Sequence, residues 1–276
     1  MDDTSWQRDR GVVLDRFVAA CSADDRIVAA FLAGSAARGE ADERSDLDLS
    51  VVVPDDDLDE LVGDRERLIA QLGDALFLED FGIDRLVFAI LSDGTDIELH
   101  FVPESELDRV RSGPHRVLVD DRGVLAGVTF PWPEFGRATQ TRELRTVVMW
   151  FWHDLSHFAA AIDRGHLWWA AGQLEALRAY CVRLARVEHG VEPMPDESYW
   201  KLDAEMPTAP IDSLRSTFVP LERAAMLDAA RTLLAYFRSR APAIAQAHGL
   251  TYPEALDRLA GARLDDLDAP GAAPYP

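Results

Sequence analysis

Hydrophobic residues recur along the chain with two different periods, and the change of period divides it. Over residues 7–20, Val12, Val13, Phe17 and Val18 follow helical spacing. Short apolar runs then predict strands at 26–32 and 47–53, the second closed by Pro54 and a run of aspartates suited to the start of a helix over 58–72. Strand-like runs follow at 75–81, 85–91 and 96–102, with Ser92-Asp93-Gly94-Thr95 as the turn between the last two, and a short strand is expected at 116–119. After Phe130-Pro131-Trp132-Pro133 the period becomes helical. Helices are expected over 135–162, 167–187 and 221–248, with a break at Pro242, and a shorter one over 253–259. Trp168 and Trp169 are adjacent and cannot both face one helix core, so one is a candidate to line a cleft, though core or interface packing is the expectation for each. The tail DAPGAAPYP is expected to be loose. The fold class this implies is α+β, with a small mixed-sheet domain over residues 1–130 and an all-helical domain over 131–276.

Composition narrows the class of protein. Of 276 residues, 48% are hydrophobic and 28% charged, the balance of a globular chain with a real core. No apolar run is long enough to cross a bilayer, and the N-terminus lacks a basic-then-apolar signal pattern. Cys21 and Cys181 each fall in an apolar helical pattern, so both are expected as buried free thiols, which suits the cytoplasm. The net charge of −21 argues against nucleic acid or an anionic membrane as partner. It fits either a cationic substrate drawn to an acidic cleft or general surface solvation. Lysine occurs once, at Lys201.

The stretch FLAGSAARGEADERSDLDLSVVV, residues 31–53, carries the chemistry. Gly34 lets a ligand approach the backbone closely, and Ser35 offers a hydroxyl and an N–H at the start of the next segment, both suited to phosphate. Arg38 is a candidate phosphate contact and Ser45 a candidate ligand contact or turn cap. Asp46 and Asp48 stand at i and i+2 of a strand, so they share one face while Leu47 and Leu49 point into the core. Two carboxylates so placed repel unless a cation lies between them, and a pair of carboxylates with substrate phosphates is the usual setting for Mg2+. A third acid is expected on a neighbouring strand. In Asp96-Ile97-Glu98-Leu99-His100 the polar residues share a face, and Glu98, flanked by Ile97 and Leu99, is the better candidate.

The Gly34-Ser35 pair followed by Asp46-Leu47-Asp48 resembles the signature of the DNA polymerase β superfamily of nucleotidyltransferases, and Ile97-Glu98-Leu99 resembles its third-carboxylate segment. A small catalytic domain followed by helices is similar to the antibiotic nucleotidyltransferases that modify aminoglycosides or lincosamides. The resemblance implies ATP with its triphosphate on Gly34 and Ser35, Mg2+ on Asp46 and Asp48, and in-line attack of a substrate hydroxyl on the α-phosphorus. It implies Glu98 as general base or as a further metal ligand, and a lysine of the helical domain, Lys201, reaching the triphosphate. The expected substrate is a small, hydroxylated and cationic molecule such as an aminoglycoside, modified by AMP transfer. The alternatives are AMP transfer to a protein hydroxyl, as in minimal nucleotidyltransferase antitoxins, and a nucleotide-binding regulatory protein without turnover.

In the helical half, His153 and His157 lie at i and i+4 and so share a helix face, as zinc ligands do. No third ligand stands out in the sequence pattern, so partial burial among Trp150, Phe151, Trp152 and Phe158 is the expected role.

Overall fold

The computed structural model of the chain describes residues 5–132, 136–192 and 197–267. The chain divides into two compact units, Met1–Glu134 and Phe135–Pro276. Unit 1 runs α1 (Ser5–Ser22), β1 (Ala29–Leu32), α2 (Gly34–Arg38), β2 (Leu47–Val53), α3 (Leu58–Gly63), α4 (Arg65–Leu72), β3 (Ala75–Glu79), β4 (Leu86–Leu91), β5 (Asp96–Pro103) and β6 (Arg116–Val119). The strands form one six-stranded sheet in the order β3-β4-β5-β2-β1-β6. β2 and β5, at its centre, are parallel, while every other neighbouring pair is antiparallel.

Strict alternation along the central strands gives the sheet two different faces. Leu47, Leu49, Val51 and Val53 of β2, with Ile97, Leu99 and Phe101 of β5, join Val13, Phe17, Leu68, Ile69 and Leu72 in one apolar core beneath α1 and α4. On the opposite face Ala29, Phe31 and Val52 pack with Leu125 and Phe130, and the Phe31 and Phe130 rings lie 5.0 Å apart. That second cluster covers one end of the face. The other end holds the odd set of residues taken up below.

Unit 2 is helical: α5 (Arg137–Asp163), α6 (Leu167–Glu188), α7 (Leu202–Glu205), α8 (Thr208–Arg215), α9 (Arg223–Ala247) and α10 (Glu254–Asp266). α5, α6 and α9 enclose a continuous apolar core in which Phe151 stacks on Phe237 at 3.8 Å and Trp152 is fully buried. Arg186 is also fully buried. Its guanidinium donates to the carbonyls of Glu192, Ser198 and Trp200 and pairs with Glu205 at 3.0 Å, tying the segment before α7 to α6. Both cysteines are buried free thiols. Among the described residues no helix is long and apolar enough to cross a membrane.

Some expectations need correction. The helix expected over 58–72 is two helices, because Gly63 is a poor helix former and Arg26 holds the Asp64 carboxylate at 2.9 Å outside either one. The strand expected from residue 26 begins at Ala29, since Arg26 and Asp24 close a local ion-paired turn first. α9 passes unbroken through Pro242: the proline is exposed, and Phe237, Ala241 and Ala245 hold the buried face on both sides of it. α10 continues beyond 259 past Gly261, with Ala260 and Leu264 buried. Trp168 and Trp169 are both exposed, at 84% and 38%, so neither joins the helical core. α7 and α8 have no counterpart in the expectation, and the tail over 268–276 lies outside the described residues.

An unbroken α9 yields a test. Pro242 removes one backbone donor inside a helix while contributing no buried surface. Pro242→Ala is expected to raise stability by about 1–3 kcal/mol, approaching the interior cost of proline, in chemical denaturation. An unchanged or lowered midpoint would show that the helix is interrupted there.

Candidate active site

The register of β2 against β5 brings the predicted acids together. Asp48 lies directly opposite Glu98, and Leu47 opposite Ile97, so the acids of both strands point away from the α1–α4 core. Asp46 immediately precedes β2 and Asp96 opens β5, at the same end of the sheet. The apolar residues on either side of Asp48 and Glu98 are buried, with Leu47, Leu49, Ile97 and Leu99 at most 2% exposed, which fixes the direction of the two carboxylates between them.

Above this pair runs the turn from β1 into α2. The Ala33 N–H donates to the Asp48 carbonyl at 2.8 Å, so the turn is bound to the strand it overlies. Gly34 has φ of +60°, and a Cβ built on it would fall 1.6 Å from Asp48 Oδ2. Only glycine meets both conditions. The first N–H groups of α2 have no carbonyl within the helix to accept them, and they begin where the Asp48 carboxylate lies.

The electrostatics are those of a crowded anionic site. The Asp48 carboxyl is pushed up to about 6 by burial first and then by the charges of Asp46 and Glu98, against a smaller opposing pull from His100 and Arg38. Asp46 is raised for the same reasons, burial first and Glu98 next. His100 Nε2 stands 3.9 Å from Glu98 Oε2 on the same face. An all-oxygen donor set whose negative charges destabilise one another suits a hard divalent cation.

The remaining predicted residues fall into separate places. Ser35 is half-buried in α2, next to Gly34. Arg38, at the end of α2, pairs with Glu40 at 2.7 Å, lies 5.4 Å from the Trp132 ring and contributes positive charge at Asp48. The Ser45 hydroxyl accepts from the Asp42 N–H at 2.9 Å and donates to Asp42 Oδ1 at 3.0 Å, closing the turn that delivers Asp46. Lys201 belongs to unit 2, where its ammonium lies 3.9 Å from the Trp200 ring and its φ is +48°. Two residues were not given a role by sequence. Arg10 is buried on α1, donates to the Asp42 carbonyl at 2.6 Å and places its charge near Asp46. A signal for it existed, since Arg10 precedes Val13 and Phe17 by three and seven positions on the apolar face. His100 lies on the expected polar face of β5, and the sequence pattern alone indicates no partner for it.

Comparison with known proteins places the chain. A protein-family model described as streptomycin adenylyltransferase matches residues 7–262. Among solved structures, the chain is similar to an aminoglycoside 6-adenyltransferase from Bacillus subtilis, at 16% identity over 92% of this chain and 97% of that one, with a TM-score of 0.41. No curated protein matches the chain.

Two outcomes follow from the site's geometry. Gly34→Ala introduces a Cβ that must displace the Asp48 carboxylate and holds alanine in the left-handed region, so lower thermal stability and loss of turnover are expected together. Turnover near that of the wild type would contradict the close approach. The raised Asp48 pKa sets a sign for stability. Ionising Asp48 costs the folded state nothing below the ordinary carboxylate pKa of about 4, and the cost is complete above about 6. Asp48→Asn should therefore stabilise the metal-free protein at neutral pH, with the gain shrinking as the pH falls through that window. A gain that is absent at neutral pH, or that grows on acidification, would contradict it.

Proposed function

Because the chain belongs to the streptomycin adenylyltransferase family, we propose that it transfers AMP from ATP to a hydroxyl of a small cationic aminoglycoside, using Mg2+. Adenylyl transfer itself is the activity of the family; the acceptor, the metal and the residue roles are our reading. The observation that carries it is the set Asp48 and Glu98, opposite each other on the β2–β5 pair, with Asp46 just before β2 and close enough to raise Asp48, and Gly34 directly against Asp48. The donor chemistry fits Mg2+: oxygen ligands only, raised carboxyl pKa values that a cation would relieve, and a glycine where a side chain would fill the cradle. Asp46 and Asp48 would hold the ion, and its chemistry there is to neutralise charge on the phosphates and polarise the one under attack.

The chain's own residues supply the rest. Gly34 leaves room for the triphosphate against the backbone, and the Ser35 N–H and hydroxyl are placed to donate to phosphate oxygen. Arg38 adds a guanidinium beside the same end of the sheet. Glu98 accepts the proton of the acceptor hydroxyl as its oxygen bonds to the α-phosphorus and the bond to pyrophosphate breaks. The net charge of −21 favours a polycationic acceptor over an anionic one.

Incubating the protein with ATP, Mg2+ and a panel of aminoglycosides that includes streptomycin, read by mass spectrometry, tests the reading. One adenylyl group gained by an aminoglycoside, with pyrophosphate released, is expected. AMP transfer to protein with no aminoglycoside modified would overturn the choice of acceptor. Glu98→Gln keeps size and polarity but cannot take the proton. Transfer is expected to fall roughly 10²–10⁴-fold while Mg2+-dependent nucleotide affinity survives. Loss of affinity together with rate would make Glu98 a metal ligand, and unchanged transfer would remove it from the chemistry.

A further inference from the structure

The sequence gives His153 and His157 a shared helix face and no evident third ligand. The structure supplies one from between them. One donor atom from each of His153, Asp154 and His157 lies within 4.8 Å of the other two, and the imidazole centroids are 4.1 Å apart. From this arrangement we infer that His153, Asp154 and His157 of α5 form a binding site for a divalent transition metal of the Zn2+ class, separate from the carboxylate site of unit 1.

Three features make the cluster more than two histidines at helical spacing. Asp154 is held on both sides: Oδ1 meets His153 Nδ1 at 2.8 Å, and Oδ2 accepts the Tyr180 hydroxyl at 2.9 Å. Tyr180 comes from α6, so a second helix fixes the carboxylate in the manner of an outer-shell partner. The Asp154 side chain is only 13% exposed while that of His153 is 49% exposed, which gives the cluster a shielded anion and an open mouth. Its floor is rigid, because Trp152, Leu155 and Phe158 of the same helix are buried in the unit's core. Aromatic rings flank it, with Trp150 4.8 Å from the His153 ring and Trp169 5.8 Å from the His157 ring.

The donor set decides the class of ion. Two imidazoles and a carboxylate are the ligands of Zn2+ and its late first-row neighbours, whereas Mg2+ prefers oxygen alone. A metal bound through His153 Nδ1 takes the place of the hydrogen bond between that nitrogen and Asp154 Oδ1, and the neutral imidazole then carries its proton on Nε2. With three protein donors, a tetrahedral ion keeps its fourth position for water or a ligand entering from the exposed His153 side.

The test uses the full chain without any histidine tag, in excess Mg2+ to occupy hard-cation sites, titrated with Zn2+ by calorimetry and with Co2+ by visible absorption. One equivalent of Zn2+ per chain and the absorption of nitrogen-bound Co2+ are expected. His153→Gln and His157→Gln should each weaken Zn2+ at least as much as the roughly 10–100-fold typical of losing an outer-shell partner. Asp46→Asn should leave the binding unchanged, and far-UV circular dichroism should show both histidine variants folded. His153 is exposed, so its variant tests the site without disturbing the core. Zn2+ binding that survives both histidine substitutions, or is lost in Asp46→Asn, would overturn the assignment, as would no stoichiometric binding at all.

Discussion

Mutual repulsion among carboxylates that the sheet forces together is the constraint on which unit 1 is organised. Once Leu47, Leu49, Ile97 and Leu99 are buried on one face of β2 and β5, Asp48 and Glu98 have only the other face to occupy, and the parallel register sets them opposite each other. A slip of one residue would bury the acids and expose the leucines. The hydrophobic effect therefore sustains an electrostatic arrangement that would not assemble by itself, and the cost appears as the raised Asp48 and Asp46 pKa values.

The surroundings lower that cost without removing it. Arg10 contributes positive charge near Asp46, while Arg38 and His100 do so near Asp48, yet burial and the neighbouring acids outweigh them. Phe31, Phe130, Val52 and Leu125 seal the other end of the same face, leaving the acids at its open end. Gly34 then brings the backbone against Asp48 without a side chain between them. The function we propose answers each part of this arrangement, with a divalent cation on the carboxylates and a triphosphate on the bare turn.

Much of this was legible in the sequence, and what was not has physical reasons. β2 over 47–53 and β6 over 116–119 match their expected bounds because alternation and flanking breakers define a strand locally. The pairing of Asp48 with Glu98 could be guessed from Glu98's position in its own strand, but the register that sets them opposite is a long-range property. Helix breaks were harder. Pro242 argued for one that burial of its neighbours overrides, while Asp64 made one through an ion pair with Arg26, remote in sequence. The Asp154 cluster was missed for a related reason: periodicity ranks i and i+4, whereas Asp154 owes its orientation to Tyr180 on another helix. Arg186, equally invisible to periodicity, is buried because carbonyls from the irregular segment that follows its helix converge on it.

The central claim is that the Asp46–Asp48–Glu98 cluster accepts a triphosphate only in company with a divalent cation. Titrating ATP into the protein by calorimetry, once in Mg2+ and once in EDTA, tests it most directly. The account predicts clear binding in Mg2+ and loss of most of it in EDTA, because without the cation the triphosphate meets the carboxylates unscreened. Equal affinity in the two buffers would contradict it.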